Sequence, residues 1–283
     1  MKKRRIIIIS CIIGVILVII GVFAALFNLQ TIRVEVLKNP EIIESMYGSS
    51  YQDQLIKSGE FQYGSNTLFS TYKENQQRIE KKYPFVKIQK LVRRFPDKMT
   101  IYITGRIPEA VIKDNTKTDT YYVVDIDMKV LDVISLNEKN NTDLYEMLPI
   151  INGGNISNKE AGDFIEKNNS TSAIVNILDG IYAKDKELSS VMSDITMDLS
   201  NEKVSIRLRD GNVDGALIKI NGFKYLKEKV FAVFSVYKDR ILRQDNVYEY
   251  KDKIQFTVGN DFVPLYNEKF TMSYDGESVN IPW

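Results

Sequence analysis

Apolar residues are densest at the start of the chain, where Ile6 to Phe27 form a run of 22 residues without a charged side chain. A helix rises about 1.5 Å per residue and the hydrocarbon core of a bilayer is about 30 Å thick, so a helix of this length can span it. Four basic residues at positions 2–5 precede the run, and basic residues favour the cytoplasmic side. The pattern predicts a cytoplasmic end at 1–5, a transmembrane helix at 6–27 and an extracytoplasmic remainder.

Two other interpretations of the start have less support. A cleaved signal peptide has an apolar core of about 7–15 residues followed by small residues, whereas Ala24 and Ala25 come late in a longer run. A lipoprotein signal ending at Cys11 would leave too few apolar residues after Arg5 to form a signal core.

Residues 31–55 first show a strand pattern and then a helix pattern. Thr31–Leu37 alternates between polar and apolar residues, which is typical of a strand. Pro40 suits the first turn of a helix, and apolar residues then recur every four positions up to Leu55. Gly48 lies inside this helix and is expected to bend or break it.

A second helical stripe runs from Phe69 to Tyr83 and ends at Pro84, and two strands follow it. The predicted core-facing residues of these strands are Val86, Ile88 and Val92 in the first, and Met99, Ile101 and Ile103 in the second. Two helices on one face of a three-stranded sheet can bury a small core. We therefore predict a β-α-α-β-β domain at 30–107.

Short strands dominate the chain after Pro108. The predicted elements are strands at 110–113, 121–125, 130–134, 195–199, 204–209 and 248–258, with helices at 175–182 and 223–237. The domain boundary is placed at Ile107–Pro108, because the residue before a proline is pushed towards extended geometry. The predicted fold class is α+β, with a transmembrane helix, the β-α-α-β-β module, a strand-rich β domain at 108–259 and a tail at 260–283.

Composition removes several classes of function. The net charge is +1, and without the four N-terminal basic residues 34 Lys and Arg stand against 37 Asp and Glu, a net −3 that argues against nucleic-acid binding. Histidine is absent, which excludes Ser-His-Asp and Cys-His nucleophile systems and imidazole zinc sites. Cys11 is the only cysteine, so no internal disulfide is expected. We predict no cofactor and no metal site.

Several short motifs follow one another in a fixed order. They are a Pro-x-Val start, a basic strand that ends in a proline turn, an Arg-x-Pro-x-Ala hinge and an aspartate after Tyr-Val-Val. Their residues are Pro84, Val86, Arg93, Pro96, Arg106, Pro108, Ala110 and Asp125. With the apolar start, this order resembles the FtsQ/DivIB family of bacterial cell-division proteins. Met128 stands where that family usually has a hairpin glycine, so a different turn is expected, and the tail after Asn260 has no family counterpart.

The resemblance implies a POTRA-like module at 30–107 and a non-catalytic scaffold at the division septum of the bacterial plasma membrane. The implied partners are small bitopic coiled-coil proteins of the FtsB/DivIC and FtsL type, together with the septal wall-synthesis machinery and the lipid bilayer. The implied role is to help coordinate septal peptidoglycan synthesis.

Two motifs have a possible catalytic or cation-binding interpretation. Ser70-Thr71-Tyr72-Lys73 fits the S-x-x-K pattern of penicillin-binding enzymes, but Ser70 also suits the N-terminal cap of a helix. Asp125 and Asp127 could pair as acids or bind a cation, although acids are also common in hairpin turns. The turn and cap interpretations are favoured in both cases.

Three arginines are candidates for charge interactions. Arg93 and Arg94 are adjacent strand residues and face opposite sides, so at most one can join a patch for anionic lipid or wall polymer; a solvated face is favoured. For Arg106, an interdomain ion pair and an exposed position remain equal alternatives.

The last predicted strand is the candidate protein-binding site. Its apolar and aromatic positions are Tyr248, Tyr250, Ile254, Phe256 and Val258. A strand at a sheet edge offers unpaired backbone groups to another chain, and in the FtsQ/DivIB family the final strand of the second domain pairs with a partner. The alternative is an interior or hydrated strand. Two other functions also stay open: an extracytoplasmic cell-wall enzyme, or a POTRA-bearing component of a secretion or sporulation complex.

Overall fold

The computed structural model describes residues 12–22, 26, 28–64, 72–135, 145, 148–184, 192–210, 213–237, 254–259, 269–274 and 277–282. The chain divides into two compact units, Met1–Ile107 and Pro108–Trp283, which we call the N-terminal and C-terminal units. The predicted basic end at 1–5 and parts of the predicted helix at 6–27 lie outside the described residues.

The predicted transmembrane helix is wrong. Residues 12–22 are helical. Within the described ranges, no helix combines the length and the apolar character needed to span a bilayer. The fold class is therefore corrected to an α+β chain with two sheets.

From residue 31 onwards, the described residues of the N-terminal unit form six elements. They are β1 (Thr31–Lys38), α1 (Pro40–Tyr47), α2 (Tyr51–Ser58), α3 (Lys73–Lys82), β2 (Val86–Arg94) and β3 (Lys98–Gly105). The strand order is β1-β3-β2, with β1 parallel and β2 antiparallel to the central β3. Gly48, at φ 73, ends α1 and separates it from α2, which confirms the expected break in the first helix.

The helices cover one face of this sheet. Their buried residues, including Ile43, Leu55 and Ile79, pack in one cluster with the alternating apolar residues of the strands, such as Ile101 and Ile103. Because strand side chains alternate, the other face of the sheet lies outside this core.

A β-bulge corrects one predicted face. The register of β2 against β3 shifts between Ile88 and Lys90, so Leu91 lies opposite the buried Ile101 and packs against the core. Val92 pairs with Thr100 on the other face. The extra residue in the bulge reverses the alternation, and the prediction that Val92 faces the core is wrong.

In its described residues, the C-terminal unit is a ten-stranded sheet with two helices. In chain order its elements are β4 (Ala110–Lys113), β5 (Tyr121–Val124), β6 (Val130–Ile134), β7 (Ile150–Asn152), α4 (Asn169–Lys184), β8 (Met192–Asp198), β9 (Lys203–Asp210), β10 (Val213–Asn221), α5 (Leu226–Val236), β11 (Ile254–Val258), β12 (Lys269–Tyr274) and β13 (Glu277–Pro282). The strand order is β13-β12-β11-β10-β9-β8-β7-β4-β5-β6. The sequence analysis assigned no element to the tail at 260–283, and this tail forms the hairpin β12–β13.

One apolar core joins the sheet to both helices. It includes Ile174 and Ile177 from α4, Val230 and Phe234 from α5, and Ile218 from β10. The helices approach closely at Gly180, where an added Cβ would lie 2.6 Å from the backbone oxygen of Lys227 and 2.8 Å from the Cβ of Val230.

The two units carry opposite charge. Residues 28–107 contain 13 Lys and Arg against 8 Asp and Glu, a net +5, whereas residues 108–283 contain 21 against 29, a net −8. The near-neutral total therefore hides a strong separation of charge along the chain.

Candidate protein-binding sheet edge

The described part of the predicted binding strand is an interior strand. Tyr248 and Tyr250 lie outside the described residues. Ile254–Val258 forms β11, which pairs with β10 in parallel on one side and with β12 antiparallel on the other. The backbone of β11 is therefore not an open edge, and the interior-strand alternative applies to this segment.

Two apolar side chains of β11, those of Phe256 and Val258, are part of the core. Phe256 lies opposite Ile218 and Val258 opposite Ile220, and these four residues are essentially inaccessible to solvent. The ring of Phe256 also makes an edge-to-face contact with Tyr237, with centroids 6.4 Å apart. This aromatic pattern reflects core packing, because the same alternation serves a buried face and a binding face.

Among the described strands, the sheet ends at β13 instead. β13 is the outermost strand and pairs with β12 from Lys269↔Pro282 to Tyr274↔Glu277. In the part of the chain that the structure describes, no strand pairs with the outer side of β13. An outer strand of six residues presents alternate N–H and C=O groups to a partner strand.

The opposite edge of the same sheet is partly closed. The loop at 162–165 runs beside the start of β6, where Val130 N donates to Asp163 O at 2.8 Å and Gly162 N donates to Val130 O at 2.8 Å. Further along β6, the side chain of Asp132 accepts from Val133 N at 2.8 Å and from the Tyr145 hydroxyl at 3.1 Å. β13 is therefore the better candidate for strand addition.

The family-motif residues occupy positions of structural importance. Val86 and Ala110 begin β2 and β4 and are buried, Pro84 is buried just before β2, and Pro96 lies in the turn between β2 and β3. Arg93 lies over the ring of Tyr72 at 5.5 Å, towards the helices. Arg94 lies on the other face, as adjacent strand residues should.

The hinge arginine is buried. Arg106 is only 5% exposed, and its backbone N–H donates to Phe85 O at 2.8 Å. The alternative of an exposed Arg106 is therefore wrong. Pro108, two residues later, begins the C-terminal unit.

Asp125 organises a hairpin turn. It is buried, its Oδ1 accepts from Lys129 N at 2.8 Å, and its backbone oxygen accepts from Met128 N at 3.0 Å. Met128 adopts the left-handed conformation, at φ 60, that glycine adopts most easily. Within the described residues, no group of three or more acidic or sulfur ligands could hold a metal ion.

A buried carboxylate that the sequence did not single out ties two loops together. Asp114 Oδ1 accepts from the backbone N–H groups of Thr116 and Lys117 at 2.6 and 2.8 Å, and Oδ2 accepts from the Tyr122 hydroxyl and from Asn158 N. The Asp-Asn-Thr sequence at 114–116 is a turn signal that could have indicated the loop. Only the fold brings the segment at 158–159 to it.

The contacts of Asp114 and Tyr122 shift the pKa of both side chains. Burial alone would raise the pKa of Asp114, but hydrogen bonds from Tyr122, Thr116 and Lys117 outweigh it and hold the pKa well below its usual range. Burial, and then the hydrogen bond to Asp114, raise the pKa of Tyr122. Both carboxylate oxygens are engaged by the loops, so the arrangement serves structure and leaves no free base for a substrate.

The S-x-x-K segment gives no catalytic arrangement in the described residues. Ser70 and Thr71 lie outside them, and Lys73 is the first residue of α3, whose N-terminal cap is Tyr72. The predicted cap at Ser70 therefore also lies outside the described residues.

Comparison with solved structures finds a likeness to a bacterial cell-division domain. No family model matches the chain, and no curated protein matches it. The chain is similar to the solved major extracytoplasmic domain of the trans isomer of the bacterial cell division protein DivIB from Geobacillus stearothermophilus. The identity is 12%, the match covers 50% of this chain and 98% of that chain, and the TM-score is 0.29. These values are too low to show a shared fold or function.

Proposed function

We propose that this chain is a non-catalytic scaffold of the bacterial division machinery that binds another protein by strand addition at β13. The observation that carries the binding mode is the position of β13 as the outermost of the described strands in a ten-stranded sheet. The division role rests on the ordered motifs from Pro84 to Asp125, which resemble the FtsQ/DivIB family.

The proposed partners are small bitopic division proteins of the FtsB/DivIC and FtsL type, bound at the extracytoplasmic side of the septum. A strand added to β13 would gain main-chain hydrogen bonds, while alternate side chains would set specificity. Through these partners the scaffold would help coordinate septal wall synthesis.

The non-catalytic character is part of the same proposal. The absence of histidine removes the commonest general base. Asp114, whose pKa is strongly lowered, and Tyr122, whose pKa is raised, are engaged with loop backbone and with each other. Turnover of a cell-wall precursor by the purified protein would contradict this part of the proposal.

Site-specific photocrosslinking in cells tests the binding edge. Photoreactive residues at Ser278 and Asn280 report on β13, and residues at Gln255 and Thr257 report on the interior strand β11. We expect crosslinks to small division proteins from the β13 positions and none from β11. Crosslinks from β11 alone would show that binding occurs elsewhere on this sheet.

Single proline substitutions sharpen the test. In an antiparallel edge strand, alternate N–H groups point to the neighbour and to the open side. Of Ser278→Pro and Val279→Pro, one removes an N–H that pairs with β12 and the other removes an N–H that faces outward. We expect one variant to lose partner capture while keeping the β12–β13 hairpin. Normal capture by both folded variants would overturn strand addition at β13.

A further inference from the structure

The face of the N-terminal sheet that the helices leave uncovered is basic. The register places Lys90 opposite Tyr102, Arg94 opposite Lys98 and Arg33 opposite Thr100 on that face. Lys87 lies further along β2 on the same face, opposite Thr104. We call Arg33, Lys87, Lys90, Arg94 and Lys98 the basic face. Glu35 is the one acid that the three described strands place there.

Tyr102 holds two of these charges in place. The Lys90 ammonium lies 4.6 Å from the centroid of the Tyr102 ring, and the Arg94 guanidinium donates to the Tyr102 hydroxyl at 2.9 Å. Both cations therefore sit over the sheet at the β2–β3 pair. Fixed cations lose less conformational freedom on binding than freely rotating lysines do.

Apolar side chains are exposed at the same end of the sheet. Phe95, in the turn that follows Arg94, is 58% exposed. The turn is fixed to the beginning of β1, because Gln30 N and Thr31 N both donate to Asp97 O, at 2.8 and 3.3 Å. Leu26, 53% exposed, lies four residues before Gln30 and so within about 14 Å of it.

The helical stretch at 12–22 extends this apolar character. Its large apolar side chains are all exposed by about half or more. The end of the sheet at the Phe95 turn thus combines the cations Arg33, Arg94 and Lys98 with exposed apolar groups. A soluble polyanion would be matched by the cations alone, whereas an anionic lipid surface also accommodates the apolar groups.

We infer that the basic face and the Phe95 turn dock the N-terminal unit onto an anionic lipid surface. The cations contact lipid phosphates, and Phe95 enters the interfacial region beside them. Each Lys or Arg near such a surface strengthens binding about fivefold, and the contribution falls as salt shortens the Debye length from about 10 Å at 0.1 M.

Intrinsic fluorescence tests the docking geometry in the full chain. Trp283 is the only tryptophan, so Phe95→Trp in a Trp283→Phe background reports on the turn alone. The matched control is Phe164→Trp in the same background, because Phe164 is a similarly exposed aromatic residue of the C-terminal unit, at 50%. The probes are vesicles of phosphatidylcholine with or without phosphatidylglycerol.

We expect a blue shift and quenching by brominated lipid at position 95 with phosphatidylglycerol vesicles, reversed by 0.5 M salt as screening predicts, and no change at position 164. Lys90→Gln with Arg94→Gln should weaken the response about 25-fold, at about fivefold per charge. Lys57→Gln with Lys73→Gln removes the same amount of charge from exposed positions on α2 and α3. This control variant should change the fluorescence response little.

Three results would overturn the inference. One is an equal response to vesicles without phosphatidylglycerol, which would assign the signal to the apolar segment alone. Another is an equal loss in the α2–α3 control variant, which would indicate a general charge effect. The third is the same response with inorganic polyphosphate and none with vesicles, which would assign the basic face to a soluble polyanion.

Discussion

The sheets of the N-terminal and C-terminal units differ in which part they offer for binding. In the described residues the N-terminal unit has three strands whose one face is covered by helices, and the fixed cations lie on the opposite face. The described part of the C-terminal unit has ten strands packed against α4 and α5, and β13 is the outermost of them. In this protein the small sheet therefore offers a charged face for electrostatic binding. The long sheet offers the backbone of an edge strand for hydrogen bonding.

The charges fit this division. The N-terminal unit, with +5 over residues 28–107, is suited to an anionic surface. The C-terminal unit carries −8, so it should be repelled from the same surface. Such a separation would leave β13 available to protein partners while the basic face engages lipid.

The largest expected effect tests whether the aromatic residue of β11 serves the core. Phe256→Ala removes a fully buried ring that contacts Tyr237, and we expect a loss of about 3–5 kcal/mol in the free energy of unfolding. Thr257→Ala, on the opposite face of the same strand, should cost less than about 1 kcal/mol. Urea unfolding measures both, and similar values for the two variants would contradict the core assignment.

A smaller loss is expected from the Asp114 network. Asp114→Ala removes the acceptor for the Tyr122 hydroxyl and for the backbone N–H groups of Thr116, Lys117 and Asn158. Unsatisfied buried donors cost about 1–3 kcal/mol each, reduced where water can enter, so we expect about 3 kcal/mol in total. Hydrogen exchange should show the loss in the C-terminal unit first. Unchanged protection there would mean that the loops are held by other contacts.

The same carboxylate predicts an acid sensitivity. The pKa of Asp114 is lowered in the folded chain, so its stabilisation is fully present above the unfolded pKa of about 3.9. It is lost as the pH falls below that value towards the folded pKa. Asp114→Asn should flatten this part of the acid-unfolding curve, measured by circular dichroism. Identical curves for both proteins would exclude the linkage.

A moderate effect is expected where α4 meets α5. Helix propensity alone would make Gly180→Ala stabilising by about 1 kcal/mol. The close approach of the Lys227 oxygen and Val230 should reverse the sign and give a net loss of about 1–2 kcal/mol. Ala183→Gly, at an exposed position of α4, isolates the propensity term. A stabilised Gly180→Ala variant would show that the helices separate easily.

The smallest effect tests the bulge in β2. Leu91→Ala should cost about 1–2 kcal/mol, because Leu91 packs against the core opposite Ile101. Val92→Ala should cost less than Leu91→Ala, because Val92 lies on the uncovered face. The reverse order in thermal unfolding would place the core on the Val92 side and contradict the observed register.

The sequence predicted the N-terminal unit in more detail than the C-terminal one. The strand at Thr31–Lys38, the break at Gly48 and the hairpin around Pro96 follow from local signals, namely alternation, glycine and proline. The sequence did not predict which face the β2 residues after Ile88 occupy, because a bulge cannot be recognised in an apolar–polar pattern. The helix at 6–27 was predicted from apolar length alone and is not found in the described residues.

The candidate site was predicted less well for the same reason. Phe256 and Val258 have the alternation of either a core strand or a binding strand, and nothing local distinguishes the two. Because β11 pairs with both β10 and β12, it is an interior strand, and Phe256 and Val258 belong to the core. Asp114 was overlooked because one of its partners, Asn158, is 44 residues away.

By itself the sequence determined the local elements, the turns at Gly48 and Pro96, the absence of histidine and the opposite charges of the two halves, because these depend only on neighbouring residues or on composition. Only the tertiary structure decided which of the described strands are interior, which of them lie outermost and which cations share a face. Those properties depend on the order and register of strands far apart in the chain, and a shift of one residue, as at the β2 bulge, moves side chains from one face to the other.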